Sequence, residues 1–208
     1  MLEMLSRFSQ GGSYMWVILV VGAWTAAIVI DRVIAVYWRA NVNARLVMSQ
    51  IERLLQSGDW SGAIQFCDGM GSKPLARVLG SALRHVDEGA ERISAAMDEA
   101  MLAALPPLQK RTPYIFTMAN IATLLGLMGT VQGLVTSFSG LDVNDPASQA
   151  RILGQGISTA LLTTAFGLIV AVPAILAHTL IQSKTEHLME DIDYSSTRLL
   201  NYLQKHKK

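Results

Sequence analysis

Residues 112–141 read TPYIFTMANIATLLGLMGTVQGLVTSFSGL, without a single Lys, Arg, Asp or Glu. Two further ranges, 14–30 and 152–183, are equally free of charge, so all 17 basic and 16 acidic residues lie outside the three ranges. An α-helix needs about 20 mostly apolar residues to cross the hydrocarbon core of a bilayer. The sequence therefore predicts a membrane protein with three transmembrane helices, and it argues against a water-soluble globule.

The first span, predicted at 14–38, has the alternatives of a cleaved signal peptide and a retained anchor. Only Arg7 precedes the apolar run, the run is longer than the core of a signal peptide, and no small-x-small cleavage site follows it. Tyr37 and Trp38 lie where interfacial aromatic residues flank a span. We therefore expect a retained anchor that follows an external N-terminus at 1–13.

The second and third spans, 112–141 and 152–183, are longer than a bilayer requires. They are expected to tilt or to continue as helices beyond the membrane. Only the polar segment DVNDPASQAR, 142–151, separates them. This spacing predicts an antiparallel hairpin with a short periplasmic loop.

Basic residues near the span ends predict the orientation, because cytoplasmic flanks carry an excess of Lys and Arg. Two such residues, Arg7 and Arg151, flank the opposite ends. The prediction is a periplasmic N-terminus, a cytoplasmic helical domain at 39–111 and a cytoplasmic C-terminal helix at 184–208. The basic residues at the inner ends are Arg32, Arg39, Arg45, Lys110, Arg111, Lys184 and Arg198.

Apolar residues in the predicted cytoplasmic parts recur every three or four positions, which is typical of amphipathic helices, and no alternating pattern predicts a strand. These helices are expected to pack on each other or on copies of themselves. The fold class is an all-α membrane protein. Four helices are predicted between the first and second spans: one within 42–57, one around Trp60 to Cys67, one after Pro74, and one from Ala90 to about Leu105 that stops at Pro106-Pro107.

The second span presents polar side chains at spacings of three and four, so Asn120, Thr123, Thr130 and Ser137 share one side of a helix. Small residues accompany them and let helix backbones approach closely in lipid. Such hydroxyls often only satisfy carbonyls within their own helix. The small residues predicted to pack here are Gly126, Gly129 and Gly133.

The third span repeats this pattern, with Thr164 among small residues on one face and with Thr159 and Thr163 nearby. Two neighbouring helices that each carry a hydroxyl-bearing face predict contact with another helix or a water path. Pro173 interrupts the backbone hydrogen bonds of this span. The small residues of the face are Gly156, Ala160, Gly167 and Ala171.

The second and third spans carry no acidic side chain, whereas proton paths through membranes normally contain ionisable residues. His178 is expected to lie at the membrane interface, and the lone Cys67 is expected to be a small buried residue. A chain of this kind can conduct ions only if a partner helix brings the titrating group. No motif for a metal, a cofactor or soluble-enzyme chemistry is present, and a net charge of +1 gives no argument for nucleic acid.

The stretches LLGLMGTVQG (124–133) and GISTALLTTAFGLIVAVP (156–173) resemble the two signatures of the MotA/TolQ/ExbB proton channel family. The cytoplasmic stretches GDWSGAIQFC and KPLARVLGSAL are similar to its ExbB/TolQ branch. The resemblance covers about residues 13–200, in the same order. It implies that the chain is not an enzyme but the stator-like ring subunit of an ion-driven motor. The second and third spans of such a subunit line a central cavity.

The resemblance also implies partners. In that family five chains form a ring around two single-span helices of the ExbD or TolR type, each of which brings one titratable Asp. Ion flow then drives work through proteins such as TonB or TolA in the bacterial inner membrane. Thr130 matches the threonine of the family's G-T motif, Thr164 that of the third-span motif, and Pro173 the third-span proline.

This chain departs from the family pattern at two places. Ala122-Thr123 stands where the ExbB/TolQ pattern often reads Ala-Pro, and Thr159 stands where many members have Glu. The second departure removes the family's own intramembrane acid and leaves the choice between proton and sodium open. Two other functions remain as alternatives. One is a non-conducting structural oligomer that uses its glycines only for packing. The other is a membrane-embedded enzyme, for which the sequence offers no nucleophile with its base and no set of metal ligands.

Overall fold

The computed structural model describes residues 12–139 and 146–206 of the chain. The predicted N-terminal segment 1–13 and the first part of the predicted loop 142–151 lie largely outside the described residues. The helices are α1 (Gly12–Val33), which continues as a π-helix over Ile34–Arg39, α2 (Ala44–Gln56), α3 (Trp60–Gly69), α4 (Pro74–Arg84), a 3₁₀ turn at Val86–Glu88, α5 (Ala90–Gln109), α6 (Thr112–Ser139) and α7 (Pro146–His206).

Every regular element in the described part of the chain is helical. Three helical stretches, Ser13–Gln56, Ala90–Ser139 and Pro146–Lys205, contain segments long and apolar enough to cross a membrane. These observations confirm the predicted all-helical fold with three candidate spans.

The helix that contains the predicted third span begins before that span, because α7 starts at Pro146 rather than at residue 152. Proline is favoured in the first turn of a helix, where its missing N–H group leaves no hydrogen bond unmade. Residues 146–151, predicted to belong to the loop, are therefore helical. The helix continues past Pro173 to His206, so the predicted C-terminal helix is part of the same element.

The helix before the second span does not stop at Pro106-Pro107, as the sequence predicted, but runs to Gln109. Both prolines lie in its last turn, where their missing N–H groups cost only two hydrogen bonds to earlier carbonyls. The backbone N–H of Lys110 donates to the Pro106 carbonyl at 2.9 Å and closes that turn. Arg32, which is only 7% exposed, donates to the carbonyls of Pro107 and Lys110 at 3.3 and 2.6 Å.

The second span does not continue upstream as one unbroken helix, because the chain leaves helical geometry at Lys110 and Arg111. Arg111 has φ 69°, a left-handed conformation that costs a residue with a Cβ roughly 1–2 kcal/mol. Pro113 follows in the first turn of α6, and its ring would clash with the Gln109 carbonyl if the helix ran through. The position of Pro113 therefore sets the start of α6.

The described residues form two compact units. The hairpin unit contains residues 12–31 and 111–180 and holds α1, α6 and most of the apolar part of α7. The helical unit contains residues 32–110 and 181–206 and holds α2 to α5 with the C-terminal part of α7.

The helical unit has its own apolar core, because each of its amphipathic helices turns one face inward. Side chains that are 2% exposed or less come from each of the helices α2 to α5 and from α7. Asn43 and Asp59 cap α2 and α3 by accepting hydrogen bonds from the backbone N–H groups of Leu46 and Gly62. The core residues are Met48, Ile51, Leu79, Leu83, Ile93, Leu199 and Leu203.

Leu79→Ala is expected to destabilise the helical unit by about 2–5 kcal/mol, because it leaves a cavity at a side chain with no exposed surface. Leu46→Ala on α2 is the matched control, since Leu46 is 66% exposed and its truncation leaves no cavity. Thermal unfolding of both variants in detergent, followed by circular dichroism, measures the difference. Equal stabilities for the two variants would contradict this description of the core.

Cys67 is buried in the helical unit, as expected for a small apolar residue. Burial, with a smaller contribution from the neighbouring Asp68 carboxylate, raises the pKa of its thiol from 9.0 to about 11. Because the folded pKa lies above the unfolded one, the thiol stays protonated and unreactive through neutral pH. Ionisation then destabilises the fold as the pH rises from about 9 through about 11.

Alkylation of Cys67 by N-ethylmaleimide at pH 8 is therefore expected to be at least roughly 100-fold slower in the folded protein than in denaturant. Mass spectrometry of time points under both conditions measures the two rates. Similar rates in the folded and unfolded chain would show that Cys67 is not held as described.

Candidate functional site

The hairpin unit brings the small residues of the second and third spans together in one seam. We define the seam as Gly126, Gly129 and Gly133 of α6 with Gly156, Ala160 and Gly167 of α7. The three glycines of α6 are buried and recur every three or four residues, so they form one stripe of the helix. Ala122, with no exposed surface, extends the stripe towards the N-terminal end of α6.

The backbones in the seam approach so closely that most side chains would not fit. A Cβ atom built on Gly167 would lie 2.7 Å from the Ala122 carbonyl oxygen and 3.1 Å from the Gly126 Cα. A Cβ atom on Gly133 would lie 3.0 Å from both the Ala160 Cβ and the Gly156 carbonyl oxygen. Small residues at these positions therefore have a direct packing role, as they do in other helix pairs within lipid.

Ser137 belongs to this seam and not to the exposed polar side of α6 with which its spacing groups it. It is 2% exposed, and its hydroxyl donates to the Gly133 carbonyl at 2.7 Å. A Cβ atom on Gly156 would overlap its Oγ. The sequence signal was available, since Ser137 follows Gly133 by four residues and so continues the Gly129–Gly133 stripe.

Thr164 joins the two helices through a hydrogen bond. Its hydroxyl donates to the Gly126 carbonyl across the seam at 3.2 Å. The neighbouring Thr163 is 1% exposed and donates to the Ala160 carbonyl within α7 at 2.8 Å. Thr163 also occupies the space above Gly129, where a Cβ atom would lie 2.5 Å from its Oγ1. From the sequence, Thr163 was placed near the small-residue face of the third span but was given no role.

The other polar residues predicted for the site on α6 lie beside the seam rather than in it. We call Asn120, Thr123 and Thr130 the hydroxyl face, with Asn120 at its N-terminal end. Asn120 and Thr123 are exposed and Thr130 is partly exposed. On α7, Thr159 is also partly exposed, and Pro173 is exposed.

Thr123, Thr130 and Thr159, unlike Thr164, each donate their hydroxyl hydrogen to a carbonyl of their own helix. Thr130 donates to the Leu127 carbonyl at 2.6 Å, Thr123 to the Ala119 carbonyl at 3.1 Å, and Thr159 to the Gln155 carbonyl at 3.0 Å. A hydroxyl donates one hydrogen bond and can accept two. The oxygens of Thr123 and Thr130 can therefore accept a hydrogen bond from a water molecule or a protonated carboxyl group beside α6, or coordinate a cation there.

No Asp, Glu, Lys or Arg lies in α6 or in α7 up to residue 183 except Arg151 near the start of α7. His178 is partly buried, and its imidazole lies 5.5 Å from the Phe116 ring between centroids. Immediately before α6, Arg111 forms an ion pair with Asp31 at 3.3 Å. Within residues 12–139 and 146–206, no group of His, Cys, Asp and Glu is arranged to hold a metal ion.

A comparison with protein-family models matches residues 71–194 to the MotA/TolQ/ExbB proton channel family. The match covers more than half of the chain and includes every residue of the seam. The chain belongs to this family. The family assignment predicted from the two signatures is thus confirmed, and the relatives place the chain near its ExbB and TolQ members.

Three relatives illustrate the similarity. The chain is 32% identical over 96 residues to the Tol-Pal system protein TolQ of Haemophilus influenzae, and 33% identical over 99 residues to TolQ of Pseudomonas aeruginosa. It is 30% identical over 152 residues to a Synechocystis sp. protein named for biopolymer transport as ExbB-like 3. These matches cover 46%, 48% and 72% of the chain.

The matched part spans 42% of the length of each TolQ protein and 71% of ExbB-like 3. The names refer to the Tol-Pal system and to biopolymer transport, and none of them names an enzyme. With the three candidate spans, the family supports a multi-pass protein of the bacterial inner membrane.

Proposed function

We propose that this chain is the ring subunit of a motor driven by an ion gradient across the bacterial inner membrane. It works with a single-span partner of the ExbD or TolR type and couples proton or sodium flow to mechanical work. TonB-dependent transport and Tol-Pal envelope function are the processes that the proposal favours, because the relatives are named for biopolymer transport and for the Tol-Pal system.

The proposal rests on how the polar groups are distributed in the hairpin unit. The small residues and the hydroxyl groups of Thr164 and Ser137 are engaged within the seam. The hydroxyl oxygens of Thr123 and Thr130 lie beside the seam and remain able to accept hydrogen bonds. No carboxylate of α6 or α7 accompanies them within the apolar region. Because an ion path through a membrane needs a titrating group, the partner supplies an Asp that lies against the hydroxyl face.

A ring of copies follows from the same surface. A polar face in lipid is stabilised only when it contacts another helix or encloses water. Several copies around a common axis would turn the hydroxyl faces, with Thr159 of α7, towards a shared cavity that admits the partner helices. We propose five copies around two partner helices, as in the family that the chain resembles.

The orientation and segment boundaries belong to the same proposal. Residues 14–38, 112–141 and 152–183 cross the membrane, residues 39–111 and 184–208 lie in the cytoplasm, and the N-terminus is periplasmic. The excess of Lys and Arg near the inner ends of the spans supports this direction. The continuous helix α7 and the separately packed helical unit are compatible with it.

Co-expression with the ExbD/TolR-type protein of the same organism tests the proposal. Native mass spectrometry of the purified material is expected to show five copies of this chain with two partner chains. Replacing the partner's intramembrane Asp with Asn is expected to leave this assembly intact and to abolish ion-coupled work, which separates assembly from conduction. A purified chain that never retains the partner would contradict the proposal.

A further inference from the structure

The helical unit contains a cleft of about 670 Å³ between the C-terminal end of α3, one side of α4 and one side of α5. The cleft lies wholly within this unit and takes no residue from the described part of the hairpin unit. Its volume falls within the range of small-molecule sites, which is roughly 300–1,000 Å³. The proposed motor function makes no use of it.

Three guanidinium groups line the cleft: Arg77 and Arg84 from α4 and Arg92 from α5. Arg77 and Arg84 are seven residues apart, so they lie on one side of α4 about two turns from each other. The Ser81 hydroxyl of α4 donates to the Ala96 carbonyl of α5 at 2.9 Å, which fixes the register of the two helices. Because these helices are connected by a short turn, Arg84 and Arg92 lie towards the same end of the cleft.

The existing ion pairs leave these guanidinium groups able to bind a ligand. Arg84 pairs with Asp68, and Arg92 pairs with Glu88 at 3.3 Å, but every member of these pairs is about half exposed. Exposed pairs of this kind contribute little and exchange readily with solvent ions. Arg77 has no ion-pair partner among the described residues.

His85 adds a further polar group at the Arg84 end. Its Nδ1 lies 2.9 Å from the Ser81 carbonyl, and since a carbonyl only accepts, Nδ1 carries the hydrogen. The imidazole is thereby held at the cleft. Glu99, the other carboxylate of the lining, lies seven residues from Arg92 along α5, roughly 10 Å away.

We infer that this cleft binds a small phosphate-bearing anion. Guanidinium groups match the oxygens of phosphate in a fixed, bidentate geometry, and several of them together favour a group with more than one negative charge. A cleft of this volume has room for more than a single phosphate. Among the residues that the structure describes, no Phe, Tyr or Trp lines it, so recognition rests on the phosphates and not on stacking against a base.

Isothermal titration calorimetry tests this inference. The purified full-length chain, in detergent at low salt, is titrated with inorganic tripolyphosphate, ATP and GTP. Tripolyphosphate is expected to bind with a Kd below about 1 mM, and ATP and GTP are expected to differ by less than about threefold because no contact reads the base. Arg92→Gln and Arg77→Gln are each expected to weaken binding roughly tenfold.

Arg53→Gln is the matched control, because it removes the same charge from an exposed position on α2 outside the cleft. Size-exclusion profiles and circular dichroism confirm that each variant folds. An absence of tripolyphosphate binding, or equal weakening by Arg53→Gln, would overturn the inference. Binding of short-chain phosphatidic acid without binding of tripolyphosphate would assign the cleft to a lipid headgroup and also overturn the site for a soluble anion.

Discussion

Gly167→Leu is expected to lower the apparent melting temperature of the detergent-solubilised protein by about 5–10 °C. Even a Cβ atom at this position would lie 2.7 Å from the Ala122 carbonyl oxygen, and backbone cannot give way as a flexible side chain can. Overpacking of a close contact typically costs about 1–3 kcal/mol. The isobutyl group of leucine is larger than the single methyl group that already does not fit. The helices of the seam must separate, and the face that they present together changes with them.

Gly154→Leu provides the matched control on the same helix, because a Cβ atom built on Gly154 meets nothing within 4 Å. Both variants gain the same helix propensity, about 1 kcal/mol per replaced glycine, so their difference isolates the contact. Fluorescence-detected size-exclusion chromatography after heating measures both variants. A Gly167→Leu protein as stable as Gly154→Leu would show that the two helices do not approach as described.

Thr130→Val is expected to leave the assembly with the partner intact and to reduce ion-coupled work by roughly 10- to 100-fold. Valine has nearly the same shape, and the hydroxyl of Thr130 donates only within its own helix, so packing survives the change. Valine lacks the oxygen that can coordinate a passing ion or accept a hydrogen bond from its water or from the partner's acid. A hydrogen bond to a charged group contributes about 1.5–3 kcal/mol, which corresponds to this range of rates.

Thr136→Val is the control for this effect. Thr136 is an exposed threonine of α6 whose hydroxyl, like that of Thr130, bonds within the helix, but it lies on the other side of the seam from the hydroxyl face. Growth that depends on the coupled process, in a strain that carries each variant, measures the work. Equal activities of Thr130→Val, Thr136→Val and the unmodified chain would remove Thr130 from the mechanism.

Thr164→Val is expected to combine both kinds of effect, because its hydroxyl joins α6 and α7 through the Gly126 carbonyl. Its loss leaves that carbonyl without the cross-helix donor, and it removes a candidate group of the ion path. A fall in ion-coupled work without any fall in melting temperature would separate the two roles. No change in either measurement would exclude Thr164 from both.

The three spans could be predicted from sequence because lipid excludes charged side chains so strongly that spans stand out as long uncharged runs. The end of α5 could not. A proline pair usually ends a helix, but at Pro106 and Pro107 the last turn retains its shape because Lys110 and Arg32 satisfy the remaining groups. The second of these contacts comes from a residue 75 positions away and is invisible to any local pattern.

The candidate site was predicted to the level of a helix side and no further. A spacing of three and four places residues within a broad arc, and such an arc includes both Ser137, which the seam buries, and Thr123, which it leaves exposed. Which residues of the arc meet the neighbouring helix depends on the crossing of α6 and α7. The glycines marked that side better than the hydroxyls, because close approach requires them.

We propose that this chain provides acceptor oxygens while another protein provides the acid. Proton flux into liposomes under an imposed potential tests it directly, with the purified chain alone and with its co-purified single-span partner. We predict that the chain alone leaves the flux at the level of protein-free liposomes and that the complex raises it. Equal flux from the chain alone and from the complex would contradict the claim.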